Sequence, residues 1–277
     1  MSFIRSFNKK QIQKMMSPEN VEIYEKLKSD ISFGNSENSV FPAIRKNEIY
    51  FYYKGGCLYK FSHGSFSRDP KFELYSENTE GLAPYEKAKK QIENKFINKR
   101  GDVKERMLLD RLNSHTFNSN SNSKVVVLDI EVNLNGSIGG GKKCDMVLLN
   151  TDTEEIAFVE GKVFSDYRVN VKCGRIPEVI EQVNTYTLAV EEQSEYILQQ
   201  YAEHIRIINQ LFGTAYNAPK KIIKPAKLLV YNVPLSLTAN QSYSIQTISE
   251  QLDAQNVARY GKDEDPFIDE IWSALCK

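Results

Sequence analysis

Cys144-Asp145-Met146-Val147-Leu148-Leu149-Asn150, Thr151-Asp152-Thr153-Glu154, then Glu155-Ile156-Ala157-Phe158-Val159-Glu160-Gly161-Lys162-Val163 is the stretch on which the fold turns. Two short apolar runs with a β-branched bias flank a connection of Asn, Thr and Asp, whose side chains hydrogen-bond locally and favour turns, so the spacing predicts a β-hairpin. In a strand, residues i and i+2 share a face. Glu160 and Lys162 then project side by side, roughly 6 to 7 Å apart, while Ala157, Val159, Gly161 and Val163 line the other face. On the first arm Asp145 shares its face with Val147 and Leu149. Two carboxylates and a lysine thus stand among apolar neighbours at the edge of a core. Isolated charges are costly to bury, and a hard cation held by oxygen ligands is the usual partner of a carboxylate pair.

Working outward, Lys124 to Leu134 alternates, with Val126, Leu128, Ile130, Val132 and Leu134 on one face and Val127, Asp129, Glu131 and Asn133 on the other, the pattern of a half-buried strand. Glu131 suits either a wet site wall or, slightly favoured, a solvent face. Upstream, Leu108, Leu109 and Leu112 follow Glu105 at +3, +4 and +7, which places Glu105 on the inward stripe of a helix over 103–112. The connection Asn135 to Lys143 carries Gly139-Gly140-Gly141 beside Lys142 and Lys143; it lacks phosphate-loop spacing and precedes a strand, so a hairpin loop is the better reading. Downstream, Phe164 to Arg175 reads as a polar loop, with Lys172 and Arg175 bracketing the presumed site. Pro177 opens a long helix reaching Phe212 with a break near 191–195, in which Gln182 and Tyr186 lie one turn apart on the packed face. A basic loop through Lys224-Pro225 leads to a buried strand over 226–233, and helices are expected at about 246–258 and 265–276.

Taken as elements, residues 101–233 run helix, strand, strand, strand, helix, strand. That order, with Asp145 opening the second strand, fourteen intervening residues, and Glu160-Gly161-Lys162 ending the third, resembles the PD-(D/E)XK nuclease superfamily. The chain departs from the family pattern in having Cys144 where a proline precedes the aspartate, a position that shapes the strand start and carries no chemistry. The resemblance covers the middle half of the chain. It implies an α/β restriction-endonuclease-like core (helix, three strands, helix, strand, with a mixed sheet flanked by helices). It further implies a Mg²⁺ site, with Mn²⁺ as substitute, held by Asp145, Glu160, the Gly161 carbonyl and Glu105, together with Lys162 as the catalytic lysine. Gln182 and Tyr186 resemble the Gln-x-x-x-Tyr element of one branch of the family, with Gln182 holding a phosphate or water and Tyr186 beside it.

Phosphodiester hydrolysis needs charge neutralisation on the non-bridging oxygens and an activated water, which carboxylate-held Mg²⁺ can supply. A lysine whose pKa falls when desolvated can orient or deprotonate that water. Against this stands a bland alternative: Glu-x-Lys is common on exposed strands, where it is a solvated ion pair worth little. Four separate features agree on the sharper one: the hairpin spacing, the inward Glu105, the Gln-Tyr stripe and the element order.

Residues 1–82 are expected to form an N-terminal α+β subdomain: a helical stretch over 8–31, then aromatic arms through Tyr50-Phe51-Tyr52-Tyr53 and Leu58-Tyr59, joined at Lys54-Gly55-Gly56 as a hairpin. A small sheet packed by its aromatics is favoured there over a base-stacking platform. Residues 83–277 form the second, α/β domain with C-terminal helices. With 277 residues and 41% hydrophobic content the chain can bury a substantial core, and 36 basic against 36 acidic residues leave any nucleic-acid-binding surface local. Four cysteines and three histidines without ligand spacing exclude a zinc ribbon and predict reduced thiols. The absence of an apolar leader at Met1 to Arg5, or of any run near the roughly 18 apolar residues of a membrane helix, predicts a soluble, cytoplasmic protein with no membrane partner.

The expected activity is metal-dependent hydrolysis of DNA, in a defence or mobile-element setting compatible with a homodimer or larger complex. The alternatives are a catalytically silent nuclease-fold module binding nucleic acid or a partner protein, and a structural protein whose charges form a buried ion network. Metal at Asp145 and Glu160 supports the first, a basic groove without metal the second, and a closed, salt-bridged site the third.

Overall fold

The computed structural model describes residues 3–33, 39–96, 112, 123–134, 143–261, 264 and 266–276. The chain divides into two compact units, one drawn from 4–122 and 200–217, the other from 123–199 and 218–277 with Phe3.

In the first unit, helices α1 (Lys9–Met15) and α2 (Val21–Phe33) precede an antiparallel sheet of β1 (Phe41–Arg45), β2 (Glu48–Tyr53), β3 (Gly56–Ser62) and β4 (Ser65–Ser67), followed by α3 (Pro84–Phe96). The single helical stretch expected over 8–31 is two helices, because Pro18 cannot donate its backbone nitrogen and holds Ser17 out of helical geometry. Asn20 fills the gap, donating to the carbonyls of Lys14 and Gly64. The β2–β3 turn has positive φ at both Lys54 and Gly55, the requirement of a tight hairpin whose twist matches its strands. Phe51, Tyr53, Tyr59 and Phe61 are buried, so these aromatics serve as core.

The second unit is mixed α/β. Its five-stranded sheet runs β5 (Val125–Val132), β6 (Cys144–Asn150), β7 (Glu155–Val163), β8 (Lys221–Val233) and β9 (Val257–Gly261) in spatial as in chain order. The β5–β6 and β6–β7 pairs are antiparallel, and the β7–β8 and β8–β9 pairs parallel. Helices α4 (Glu178–Phe212), α5 (Ala239–Gln251) and α6 (Ile268–Leu275) complete it; parallel neighbours cannot be joined by a tight turn, and α4 and α5 are the crossovers that join them. The last turns of α4 belong to the first unit, and its backbone leaves helical geometry at Gln193, within the expected break.

The hairpin turn forms as expected: the Asn150 side chain accepts from the N–H of Asp152 and of Thr153, at 3.0 and 3.1 Å. Three expectations are corrected. Strand β5 is buried along its length except at Glu131, because a bulge between Val127 and Asp129 breaks the alternation and helices flank the sheet. Strand β8 begins at Lys221, ahead of Pro225, and its ladder with β7 shifts register across that segment, which accommodates the missing N–H. Residues 257 and 258, read as the end of a helix over about 246–258, are the start of β9. Glu105, its helix apart from the buried, helical Leu112, and the Gly139 to Lys142 connection lie outside the described residues. Among the described residues no helix is long and apolar enough to cross a membrane.

The start of β5 is pinned by α6, where the Asp269 carboxylate accepts from Ser123 Oγ and from the N–H of Lys124 and Val125, the latter two at 3.0 and 3.2 Å. Charge-assisted bonds of this kind are stronger than neutral ones. Asp269→Ala should lower the unfolding free energy by about 1 to 3 kcal/mol, read as a fall in the urea midpoint without a change in slope.

Candidate functional site

Strand β7 lies at the centre of the sheet, and only its terminal residues, Glu155 and Val163, escape full burial. Its ladder with β6 extends from Asn150↔Glu155 to Met146↔Val159. Beyond that pair the Asp145 carboxylate takes over, accepting the Gly161 N–H on Oδ2 at 2.9 Å. The side chain that opens β6 is therefore drawn onto the part of β7 that carries Glu160 and Lys162.

Lys162 is 2% exposed, Glu160 1% and Asp145 17%. Among the described residues, Lys162 Nζ donates to Glu160 Oε1, to Asp145 Oδ2 at 3.3 Å and to the Gly161 carbonyl at 2.9 Å. From α4, Gln182 donates one Nε2 hydrogen to the same Glu160 Oε1 and the other to the Tyr186 hydroxyl at 2.9 Å. The structure thus brings Asp145, Glu160, Gly161, Lys162, Gln182 and Tyr186 into one cluster. Gln182, expected to hold a phosphate or water, is hydrogen-bonded to the Glu160 carboxylate.

One atom is left over. Glu160 Oε2 is buried without a hydrogen-bond partner, although its sister oxygen accepts two. Burial pushes the Glu160 carboxyl up to about 8; the Asp145 charge pushes the same way, and Lys162 only partly offsets them. Burial also raises the Tyr186 hydroxyl, helped by the charge of Glu160. Cys144, fully enclosed with its Sγ against the Val159 carbonyl at 3.3 Å, has its thiol raised well above the usual range by burial and then by both carboxylates; it is an inert core thiol.

A hard cation fits this donor set. Two carboxylates and a peptide carbonyl supply oxygen ligands only, and Glu160 Oε2 is buried with no hydrogen-bond donor among the described residues. Among the described residues no group of three or more His, Cys, Asp or Glu side chains is placed to hold a metal. Mg²⁺ does not demand one, since it keeps several waters and takes one or two carboxylates. Glu105, the third carboxylate expected, lies outside the described residues.

Other sequence candidates fall elsewhere. Glu131 is half-buried and paired with Lys143 at 3.3 Å. Asp129 is fully buried and accepts the Ile130 N–H at 2.9 Å. Lys172 and Arg175 are exposed. Sequence reading missed Asp166, whose carboxylate grips Arg168 through the backbone N–H at 2.8 Å, Nε at 2.9 Å and Nη2. Burial works against its ionisation, but the Arg168 hydrogen bonds, helped by the charges of Arg168 and Lys162, hold its carboxyl below the usual range. The signal was present as an Asp-x-Arg step directly after the Glu-x-Lys strand, where an aspartate can close a local turn.

No protein-family model, curated protein or solved structure matches the chain.

The raised Glu160 carboxyl fixes the sign of a pH effect. A group that binds its proton more tightly when folded stabilises the fold fully below its unfolded value and loses that contribution as pH rises through the folded one. In EDTA, stability should therefore decline between about pH 4.5 and about pH 8 by a component that Glu160→Gln removes. Parallel urea midpoints for wild type and variant across that range check it; identical slopes would contradict the assignment.

Proposed function

We propose that this protein is a divalent-metal-dependent nuclease with a restriction-endonuclease-like core, hydrolysing phosphodiester bonds in DNA. The observation that carries the reading is the buried, partnerless Oε2 of Glu160 beside Asp145, on the same strand face as a buried lysine. The topology supports it: an antiparallel β5–β6–β7 meander leads through α4 to a parallel β8, and Glu-x-Lys sits on the central strand.

Asp145, Glu160 and the Gly161 carbonyl would hold the cation, with Glu105 as a further ligand. When bound, Mg²⁺ supplies charge neutralisation at the scissile phosphate and acidifies a water. Lys162 carries a proton at Nζ beside both carboxylates, placed to orient the attacking water or exchange a proton with it. Gln182 fixes the rotamer of Glu160, and Tyr186 fixes Gln182 in turn. Their work is preorganisation, because a donor set held by packed neighbours needs no rearrangement at the moment of reaction.

The ion pairs of Lys162 favour a second reading, in which the cluster is a structural ion network. A network retained for stability satisfies its members, since a buried acceptor without a donor costs the desolvation it never recovers. The Glu160 oxygen that has no donor among the described residues counts against that reading.

Two experiments separate the readings. Cleavage of plasmid and oligonucleotide DNA should require Mg²⁺ or Mn²⁺ and cease in EDTA, and Lys162→Met should lower turnover by roughly 10² to 10⁴ with DNA affinity nearly unchanged. In the network reading the same variant leaves a buried carboxylate unpaired and costs about 3 to 5 kcal/mol in urea unfolding. A stable, fully active Lys162→Met would contradict both. Separately, a cation bound only by the folded state raises stability by mass action. Mn²⁺ should therefore raise the melting temperature of wild type more than that of Asp145→Asn; equal shifts would remove the carboxylates from the metal site.

A further inference from the structure

The turn that leaves β7, residues 164–170, follows Lys162 directly and carries an aromatic ring into solvent. Its backbone is fastened on both sides of that ring. Phe164 is buried and donates its N–H to the Tyr231 carbonyl at 2.8 Å. Val169 is fully buried, and the N–H groups of Val169 and Asn170 both return to the Asp166 carbonyl, at 3.0 and 2.9 Å. Further along, Ser244 of α5 bonds both the N–H and the carbonyl of Val171, at 3.0 and 3.2 Å. The Val179 N–H at the start of α4 takes the Arg168 carbonyl at 3.1 Å. This is a rigid platform, and Tyr167 stands on it 72% exposed.

The Arg168 guanidinium lies 5.8 Å from the centre of the Tyr167 ring, and Asp166 holds it through Nε and Nη2. Asp166 begins the turn that follows the strand of Lys162, and an Asp that fixes an Arg sets the direction of its planar fork. An exposed aromatic ring has one π-face to offer a flat partner, and a guanidinium beside it offers a charge to a phosphate. The same two chemistries, at that spacing, occur in one nucleotide. A paired base in a duplex interior already has both faces stacked and cannot receive the ring, whereas an unpaired base can.

We propose that Tyr167 and Arg168 form the substrate grip of this site, Tyr167 stacking on an unpaired base and Arg168 contacting a neighbouring phosphate, so that the strand presented to Asp145, Glu160 and Lys162 is single-stranded. The proposal rests on the nuclease reading for what happens next to the grip, and its test reads binding independently of cutting. In EDTA, a fluorescein-labelled single-stranded oligodeoxynucleotide should bind wild type about tenfold more tightly than Tyr167→Ala, the scale of one lost base–aromatic stack. Tyr167→Phe keeps the ring and should keep the affinity. A blunt duplex hairpin of equal length should bind wild type and Tyr167→Ala within about twofold of each other, while Arg168→Ala weakens both probes because both carry phosphates. Wild-type affinity in Tyr167→Ala, or an equal loss on hairpin and single strand, overturns the grip even where Lys162-dependent cleavage is observed. Tyr167-dependent binding to the single strand upholds the grip even if no cleavage is found, in which case it is the nuclease reading that fails.

Discussion

The buried ammonium of Lys162 holds the second unit's chemistry in place. It lies on the central strand of the sheet and donates to Glu160, Asp145 and the Gly161 carbonyl. Two carboxylates brought together away from water repel each other and are each penalised by desolvation. They stand side by side because a third charge lies between them and because the Gly161 N–H takes one Asp145 oxygen. Elements distant in sequence converge on this point: β6 contributes Asp145, β7 the Glu-x-Lys pair, and the first turns of α4 the Gln182 and Tyr186 that lock Glu160. The unbalanced part is equally specific. Among the described residues, one oxygen of Glu160 has no donor to accept from. On that asymmetry rests the proposal of a cation site over an ion network complete in itself.

The scaffold around the cluster is stiffer than its charge would suggest. Cys144, Phe158 and Val159 are fully buried about it, the Asn150 turn fixes the far end of the hairpin, and Asp269 ties down the start of β5. In the proposed nuclease such rigidity would have a chemical use, since carboxylates and a lysine held by packing are already oriented when a substrate arrives. The turn at 164–170 extends the same rigidity outward, placing an arginine and an exposed tyrosine just beyond the end of β7.

The hairpin at the heart of the second unit was legible because its information is local: two β-branched apolar arms, an Asn–Thr–Asp–Thr turn and period-two alternation all lie within twenty residues. The inward direction of Gln182 and Tyr186 was legible for the same reason, through helical spacing. The bond from Gln182 to Glu160 was not, because periodicity tells which way a side chain points and says nothing of what it meets. Strand β9 was missed because the helix expected at about 246–258 ran into its first residues, and its pairing with β8 is parallel and non-local. The double burial of β5 was missed because a bulge at Leu128 resets the alternation, which tertiary packing decides. Tyr167 and Arg168 were passed over within a polar loop, since only the folding of that loop against α5 gives their side chains a direction.

The most direct measurement is a crystal structure of the protein grown or soaked with Mn²⁺, read by anomalous scattering. The account predicts a single strong anomalous peak bonded to the carboxylates of both Asp145 and Glu160, with the formerly partnerless Glu160 oxygen among its ligands. A Mn²⁺-saturated crystal with no peak there, and with Lys162 still bridging the two carboxylates, would contradict it and leave the cluster as a structural ion network.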